Sequence, residues 1–356
     1  MNQTIYEVEL QTLVFGGDAL GRLPDGRAVF VPFGLPGEKV RVSLVEDKPR
    51  HARAEIIEIK QSSQQRTTPR CVHFGECGGC HYQHLTYANQ LAVKAAILRD
   101  QFRRIGDMQD IPLQPPVASP REWHYRNTVQ FHLTDNGEPG YHRAGSQEVF
   151  AIRECFLPEI LLNDLRSQLT FESNPSLQRI ELRAGTDDEI MLVLESDDMM
   201  APELTVEGLP LSVVHLSPAG KIVMAGSDHI TMKIAENRFR VSAESFFQVN
   251  SGMAQLIVEH ILQSLPFTGS ETVLDVYCGV GLFSAFVAPR VSRLIGIEAS
   301  PSACDDFTVN LDAFDNVELY QDAAENALPQ LDVHPEIVIV DPPRAGMAKT
   351  ALEGLL

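Results

Sequence analysis

Val273-Leu274-Asp275-Val276-Tyr277-Cys278-Gly279-Val280-Gly281 is an apolar run that breaks into a glycine turn. Such a run, four to eight residues long and bounded by turn residues, has the pattern of a buried strand. Glycine lets the main chain turn tightly and lets a ligand approach the backbone. Twenty-three residues after Asp275 a second run, Leu294-Ile295-Gly296-Ile297, ends in Glu298. An acid at the end of the second strand stands where the two hydroxyls of a ribose can be held. Working outward, Ser251 is placed to cap a helix carrying Ile257, Ile261 and Leu265. Strands at 273–277, 294–298, 317–321 and 337–340 alternate with helices. This βαβ texture predicts a parallel sheet with helices on both faces, hence a Rossmann-like α/β domain over residues 241–356.

Directly after Ile337-Val338-Ile339-Val340 comes Asp341-Pro342-Pro343-Arg344. Two prolines stiffen the turn and remove two donors. They hold the Asp341 carboxylate at the carboxyl end of the sheet, where ligands of such folds bind. Dehydrogenases have little use for this turn. Methyltransferases that act on bases do, so the cofactor expected is S-adenosylmethionine.

Residues 1–60 read as an all-β unit. Tyr6–Gln11 and Lys39–Leu44 alternate with period two, and Gly16-Gly17, Asp25-Gly26 and Pro36-Gly37 supply turns. Short strands at this spacing predict a five-stranded barrel of OB type. Gln61–Arg70 is polar and reads as a linker. A helix is expected over 85–105, with Leu91, Ala95, Leu98, Phe102 and Ile105 on one stripe and Lys94, Arg99, Arg103 and Arg104 off it. That stripe is expected to pack on the catalytic domain. From Trp123 to Phe239 the pattern is strands and turns, interrupted by an acidic loop at Glu195–Glu207. The domains expected are therefore 1–60, a central α+β domain at 61–240, and 241–356.

The net charge of −19 argues against a nucleic-acid surface, but its distribution does not. Residues 1–70 carry ten Lys/Arg and nine Asp/Glu, residues 71–160 eight and ten, and residues 161–356 eleven and twenty-nine. The acidic excess sits in the second half, which leaves the first half open to RNA. With 44% hydrophobic residues, 22% charged and no run long enough to span a membrane, the chain is expected to be a cytoplasmic monomer.

Cys71, Cys77 and Cys80 fall close together, with Gly78-Gly79 inside the last pair. Cys155 offers a fourth thiolate. Spacing alone leaves a [4Fe–4S] cluster, a structural zinc and a redox dithiol at Cys77/Cys80 all open. Cys278 and Cys304 read as buried structural thiols.

These pieces together resemble one family, the RNA uracil-5-methyltransferases with an N-terminal TRAM domain and an iron–sulfur cluster. The motifs that carry the resemblance are the four-cysteine pattern, Trp123-His124-Tyr125-Arg126-Asn127, Ser245-Phe246-Phe247-Gln248-Val249-Asn250, Asp275–Gly281 and Asp341-Pro342-Pro343-Arg344-Ala345-Gly346. The resemblance implies cofactor contacts at Gln248, Tyr277, Glu298 and Asp341, and Asp322 is a candidate adenine contact of the fold. It selects [4Fe–4S] over zinc and 23S ribosomal RNA over tRNA as the substrate. The implied chemistry adds a cysteine thiolate to uracil C6, methylates C5, and removes the C5 proton with a carboxylate. The target base must leave its stack to reach the cofactor.

The family's nucleophilic cysteine and general base follow the Asp-Pro-Pro-Arg turn, and this sequence stops fifteen residues after Asp341. The expectation is therefore a C-terminally truncated and inactive copy, with an incomplete sheet whose fourth strand is an open edge. The alternatives are a non-catalytic RNA-binding iron–sulfur protein, and an amino-group methyltransferase. Arg344, where those enzymes carry an aromatic residue, speaks against the second.

Overall fold

The structure is a computed structural model, and it describes residues 4–169, 171, 176–202 and 211–356. Its contacts divide the chain into two compact units, residues 1–122 with 140–155, and residues 123–139 with 156–356.

In the first unit, strands β1 (Ile5–Leu13), β2 (Ala19–Arg22), β3 (Ala28–Val31), β4 (Lys39–Asp47) and β5 (His51–Gln61) close a barrel in the order β1-β2-β3-β5-β4. The period-two pattern sends Val8, Leu10, Val29, Val31, Val40, Val42, Ala52 and Ala54 into its interior, all buried. The polar stretch 61–70 is pinned rather than loose. Arg66 donates to both carboxylate oxygens of the fully buried Glu38, at 2.6 and 2.8 Å, and to the Phe33 carbonyl.

Helix α1 (Tyr87–Arg104) starts at Thr86, whose hydroxyl accepts from the Asn89 amide. Val93 and Ile97 lie against the barrel core, while Leu98, Phe102 and Ile105 are exposed. The helix carries two apolar stripes, and periodicity alone does not say which one meets the barrel. After β6 (Thr128–Leu133), which belongs to the second unit, the chain returns to the first in a hairpin of β7 (Pro139–His142) and β8 (Val149–Ala151).

In the second unit, α2 (Ile160–Gln168) buries Leu162 and Leu165. This helix lies inside a stretch that the sequence pattern assigns to strands and turns. Strands β9 (Leu177–Ala184), β10 (Ile190–Ser196), β11 (Leu211–Ser217) and β12 (Gly220–Ala225) line up with β6 in the order β12-β11-β10-β9-β6. Only β10 and β11 run parallel. The acidic stretch 195–207 begins inside β10, and its residues from 203 on lie outside the described residues. A hairpin of β13 (His229–Ile234) and β14 (Asn237–Ser242) follows.

Helix α3 (Ser251–Ser264) is capped by Asn250, whose side chain accepts from the Met253 amide, and not by Ser251. Then β15 (Thr272–Val276), α4 (Leu282–Val287), β16 (Arg293–Glu298), α5 (Pro301–Asn310), β17 (Val317–Gln321), α6 (Ala324–Ala327), β18 (Ile337–Val340) and α7 (Lys349–Leu355) build the expected parallel sheet, in the order β17-β16-β15-β18. Neighbouring residues on β15 face opposite ways. Val273 joins Val280, Leu282, Ala285, Leu294 and Phe307 on one side. Leu274 and Val276 join Ile295, Ile297, Ala324, Leu328 and Ala351 on the other. Each fully buried large aliphatic side chain contributes about 1.5–3 kcal/mol to holding the layers together. β15 sits in the interior of the sheet, so the turn that follows it lies at the middle of the carboxyl edge. β18 pairs with β15 alone among the described strands, and Val338 and Val340 are 40% and 36% exposed on it.

Candidate cofactor site and cysteine cluster

The turn after β15 departs from ordinary backbone at three nearby positions. Tyr277, Gly279 and Gly281 have φ of 66°, 54° and 89°. The two glycines serve different ends. A Cβ on Gly281 would stand 2.3 Å from Leu311 Cδ1 and 3.0 Å from Phe307 Cδ2, so this glycine lets α5 close on the turn. A Cβ on Gly279 would meet nothing within 4 Å, so its main chain faces open space. A left-handed φ at a bulky residue such as Tyr277 is held only where its surroundings demand it. The Tyr277 and Cys278 amides both donate to the Ile297 carbonyl, at 2.9 and 3.1 Å.

Glu298 reaches across from the end of β16. One carboxylate oxygen accepts from the Gly279 amide at 2.9 Å, and the other from the Ala299 and Ser300 amides at 2.8 Å each. At the end of β18, Asp341 Oδ2 accepts from the Gln248 side-chain amide at 3.3 Å. Asp322 follows β17, and its Oδ1 accepts from the Ala323 amide and from Asn326. Gln248, Glu298 and Asp341 thus converge on the carboxyl end of the sheet around the turn that carries Tyr277. Asp322 sits at the same edge and spends one oxygen on the start of α6.

Asp275 lies beneath this edge, 1% exposed. Ser284 donates to its Oδ2 at 2.6 Å, while Oδ1 is buried with no partner in the structure. Burial pushes the Asp275 carboxyl up to about 6, and the charges of Asp341 and Glu298 push the same way. Three carboxylates and a glycine backbone open to a ligand form an electronegative cradle. That donor set fits a cofactor carrying a ribose diol, an ammonium and a sulfonium. Cys278 is buried, and burial holds its thiol well above the ordinary range. Burial likewise pushes Cys304 up to about 11. Both are free and buried in the structure.

The four remaining cysteines all belong to the first unit. The hairpin β7–β8 shapes their loop, with the Gly78 amide donating to the His142 carbonyl and the Ala144 amide to the Glu76 carbonyl. Arg143 binds the Glu76 and Glu148 side chains. His73 accepts from the Arg153 amide at 3.0 Å, which anchors the chain just before Cys155. The Gly79 amide points at Cys77 Sγ at 3.4 Å, as the glycines inside Cys77–Cys80 suggested. Burial raises the Cys77 thiol and pushes Cys80 up to about 11, and both sense the charges of Cys71 and Cys155. Among the described residues no three Cys, His, Asp or Glu side chains are grouped tightly enough to hold a single metal ion.

Sequence reasoning missed the buried groups that fix the loop carrying Gln248. Asn127, Arg183 and Asp306 grip residues 242–251 from two sides. Asn127 was visible within a motif, but its partners lie more than a hundred residues away and no local pattern links them.

A five-stranded RNA-binding type of barrel followed by a class I cofactor sheet defines an S-adenosylmethionine-dependent methyltransferase that modifies RNA. The TRAM domain model matches residues 1–57, and the tRNA (Uracil-5-)-methyltransferase model matches residues 195–355. An uncharacterized RNA methyltransferase of Aquifex aeolicus is 31% identical over 368 residues, covering 98% of this chain and 85% of its own. One of Synechocystis sp. is 30% identical over 391 residues, covering 99% and 84%. In fold the chain is similar to the Pyrococcus abyssi tRNA (uracil-54, C5)-methyltransferase in complex with S-adenosyl-L-homocysteine. The TM-score is 0.72 at 22% identity, covering 98% of this chain and 87% of the other. The chain belongs to the RNA uracil-5-methyltransferase family and carries its TRAM domain.

Proposed function

We propose that this protein uses S-adenosylmethionine to methylate uracil C5 in RNA, with 23S ribosomal RNA as substrate. The observation that carries the proposal is the convergence of Gln248, Glu298 and Asp341 at the turn after β15, where Gln248 bonds Asp341 and Glu298 bonds the Gly279 amide. When bound, the cofactor supplies an electrophilic methyl group. In this assignment Glu298 would hold the ribose, Asp322 would reach the adenine, and Gln248, Tyr277 and Asp341 would contact the rest of the cofactor. Asp341 would hydrogen-bond near the base and cofactor rather than act as nucleophile.

Cys71, Cys77, Cys80 and Cys155 are proposed to hold a [4Fe–4S] cluster. The proposal rests on the four-cysteine pattern and the family resemblance that it helps to carry. The centre is proposed to be structural, because four thiolates leave no open iron. A cytoplasmic monomer is the proposed state, and no described helix is long and apolar enough to cross a membrane.

The test is mass analysis of nucleosides from RNA exposed to the protein in its native host and in a deletion strain. Loss of ribothymidine from 23S ribosomal RNA on deletion supports the proposal. Loss from tRNA instead supports the second substrate, which the name of the Pyrococcus abyssi protein favours. Unchanged ribothymidine in both overturns uracil C5 transfer.

A further inference from the structure

Trp123-His124-Tyr125-Arg126-Asn127 has no partner in the cofactor chemistry, yet its last residue is tied to the loop that supplies Gln248. Asn127 is 2% exposed. Its side-chain amide donates to the Gln248 carbonyl and to Ser251 Oγ, both at 3.0 Å. Its backbone amide donates to the Val249 carbonyl at 2.9 Å. The Thr128 hydroxyl donates to its Oδ1 at 3.0 Å, and the Ala184 amide to its carbonyl at 2.8 Å. Every polar group of Asn127 is therefore spent. The Thr128 and Ala184 bonds fix the side chain and the residue to β6 and β9, and the other bonds carry that fix to residues 248–251.

The far side of the same loop is held as firmly. Arg183 donates to the carbonyls of Ser242, Ala243 and Ser245, at 2.8–3.0 Å. Asp306, fully buried on α5, accepts from the Ser242 amide and from the Ser242 and Ser245 hydroxyls. Asn250 then caps α3. Between these anchors Phe246 is exposed, Phe247 is buried, and Gln248 and Val249 are half-buried. Arg183 and Asp306 grip three or more residues upstream of Gln248. Asn127 alone among these groups bonds the Gln248 main chain itself.

We infer that Asn127 is a positioning residue for the cofactor, setting through the Gln248 carbonyl the direction in which the Gln248 side chain meets Asp341 and the bound ligand. The inference rests on the assignment of Gln248 to the cofactor site. A side chain held by its own backbone within a few tenths of an ångström keeps its bonding geometry without ordering it anew on each binding event.

The experiment measures binding of S-adenosylhomocysteine to the full 356-residue chain by calorimetry, alongside thermal unfolding. Asn127→Asp keeps the volume and the bond from Thr128 but replaces the donor facing the Gln248 carbonyl with an acceptor. It is expected to weaken binding about tenfold. Ser251→Ala, a milder change, is expected to weaken it about twofold and guards against failure of the first variant to fold. Asn316→Asp is the control. Asn316 donates to the Ala288 and Val291 carbonyls away from the site, so this variant is expected to lower the melting temperature with affinity unchanged. In a Gln248→Ala background, Asn127→Asp is expected to cost no further affinity. An additive loss in that background overturns the positioning role, as does a fall in melting temperature with affinity retained in both Asn127→Asp and Ser251→Ala. If Gln248→Ala alone leaves affinity unchanged, the assignment of Gln248 to the cofactor fails and takes the inference with it.

Discussion

The side-chain amide of Gln248 donates to Oδ2 of Asp341 at 3.3 Å, joining residues 93 apart in sequence. The loop before α3 and the turn after β18 are thereby locked to each other at the open end of the sheet. Asp341 also repels Asp275 from above. Asp341→Asn keeps the shape of the bond and removes the charge. S-adenosylmethionine carries one more positive charge than S-adenosylhomocysteine, so its affinity is expected to fall more, by about threefold to tenfold. Equal losses for the two ligands by calorimetry would show that the Asp341 charge is not felt at the sulfonium.

The Asp275 carboxyl, raised from its ordinary 3.8 to about 6 by burial, makes stability depend on pH. Below pH 3.8 the proton is on in both states and nothing changes. Between 3.8 and 6 the folded state keeps a proton that the unfolded state has lost, so stability falls as pH rises, and the penalty is complete above 6. Its size is about 3 kcal/mol. Asp275→Asn removes the titration and leaves the Ser284 hydroxyl a carbonyl to bond. The advantage of the variant over the parent in urea unfolding is expected to grow from pH 4 to pH 7. A difference that stays flat across that range rejects the shifted carboxyl.

Gly279 and Gly281 separate binding from stability. Gly281→Ala drives a methyl into Leu311 and Phe307 at a left-handed φ, and is expected to destabilise the second unit by about 2–4 kcal/mol. Gly279→Ala meets no atom and costs about 1 kcal/mol of backbone strain. Its methyl projects into the open space above the turn, so cofactor affinity is expected to drop while the melting temperature barely moves. Identical behaviour of the two variants in thermal unfolding and ligand titration is the result that counts against this division.

Glu38 is fully buried, and its carboxylate accepts from Arg66, from the Leu35 amide at 2.9 Å and from the Ser63 amide at 3.2 Å. Removing one partner of such a pair strands a charge. Arg66→Ala is expected to cost about 3 kcal/mol in chemical denaturation, whereas exposed arginines such as Arg41, paired with Glu58 at 3.0 Å, should cost under about 1 kcal/mol. Similar losses at Arg66 and Arg41 would contradict the role given to burial.

Anaerobically purified protein is expected to carry about four iron and four sulfide per chain with broad visible absorbance, if the four cysteines hold a [4Fe–4S] cluster. Cys155→Ser should lose most of both. One zinc per chain without iron would replace the cluster with a structural ion, and an unchanged iron content in the variant would remove Cys155 from the ligand set.

The parallel sheet and the barrel were legible because their residues repeat with simple periods, from Tyr6–Gln11 in β1 to Ile337–Val340 in β18. The site was legible in its strand-end residues, Glu298 and Asp341, since position at a strand end is itself local information. Helix α1 was legible in extent but not in orientation, because Val93 and Ile97 form a second apolar stripe as good as that of Leu98 and Phe102. Helix α2 was missed in a stretch dominated by strand signals. The grip of Asn127, Arg183 and Asp306 on residues 242–251 was invisible, for a hydrogen bond between residues 59 to 124 apart leaves no periodic mark.

Within the loop, Arg183 binds main-chain oxygens only, those of Ser242, Ala243 and Ser245. Its hold does not read the side chains at 242, 243 and 245; the Ser242 and Ser245 hydroxyls are bound separately by the buried Asp306. A change at Arg183 itself releases three carbonyls together and leaves Glu181, its buried ion-pair partner, without a counter-charge. Mutational tolerance should therefore not track distance from the cofactor: one codon on a strand behind the loop should be as strict as those that border the site.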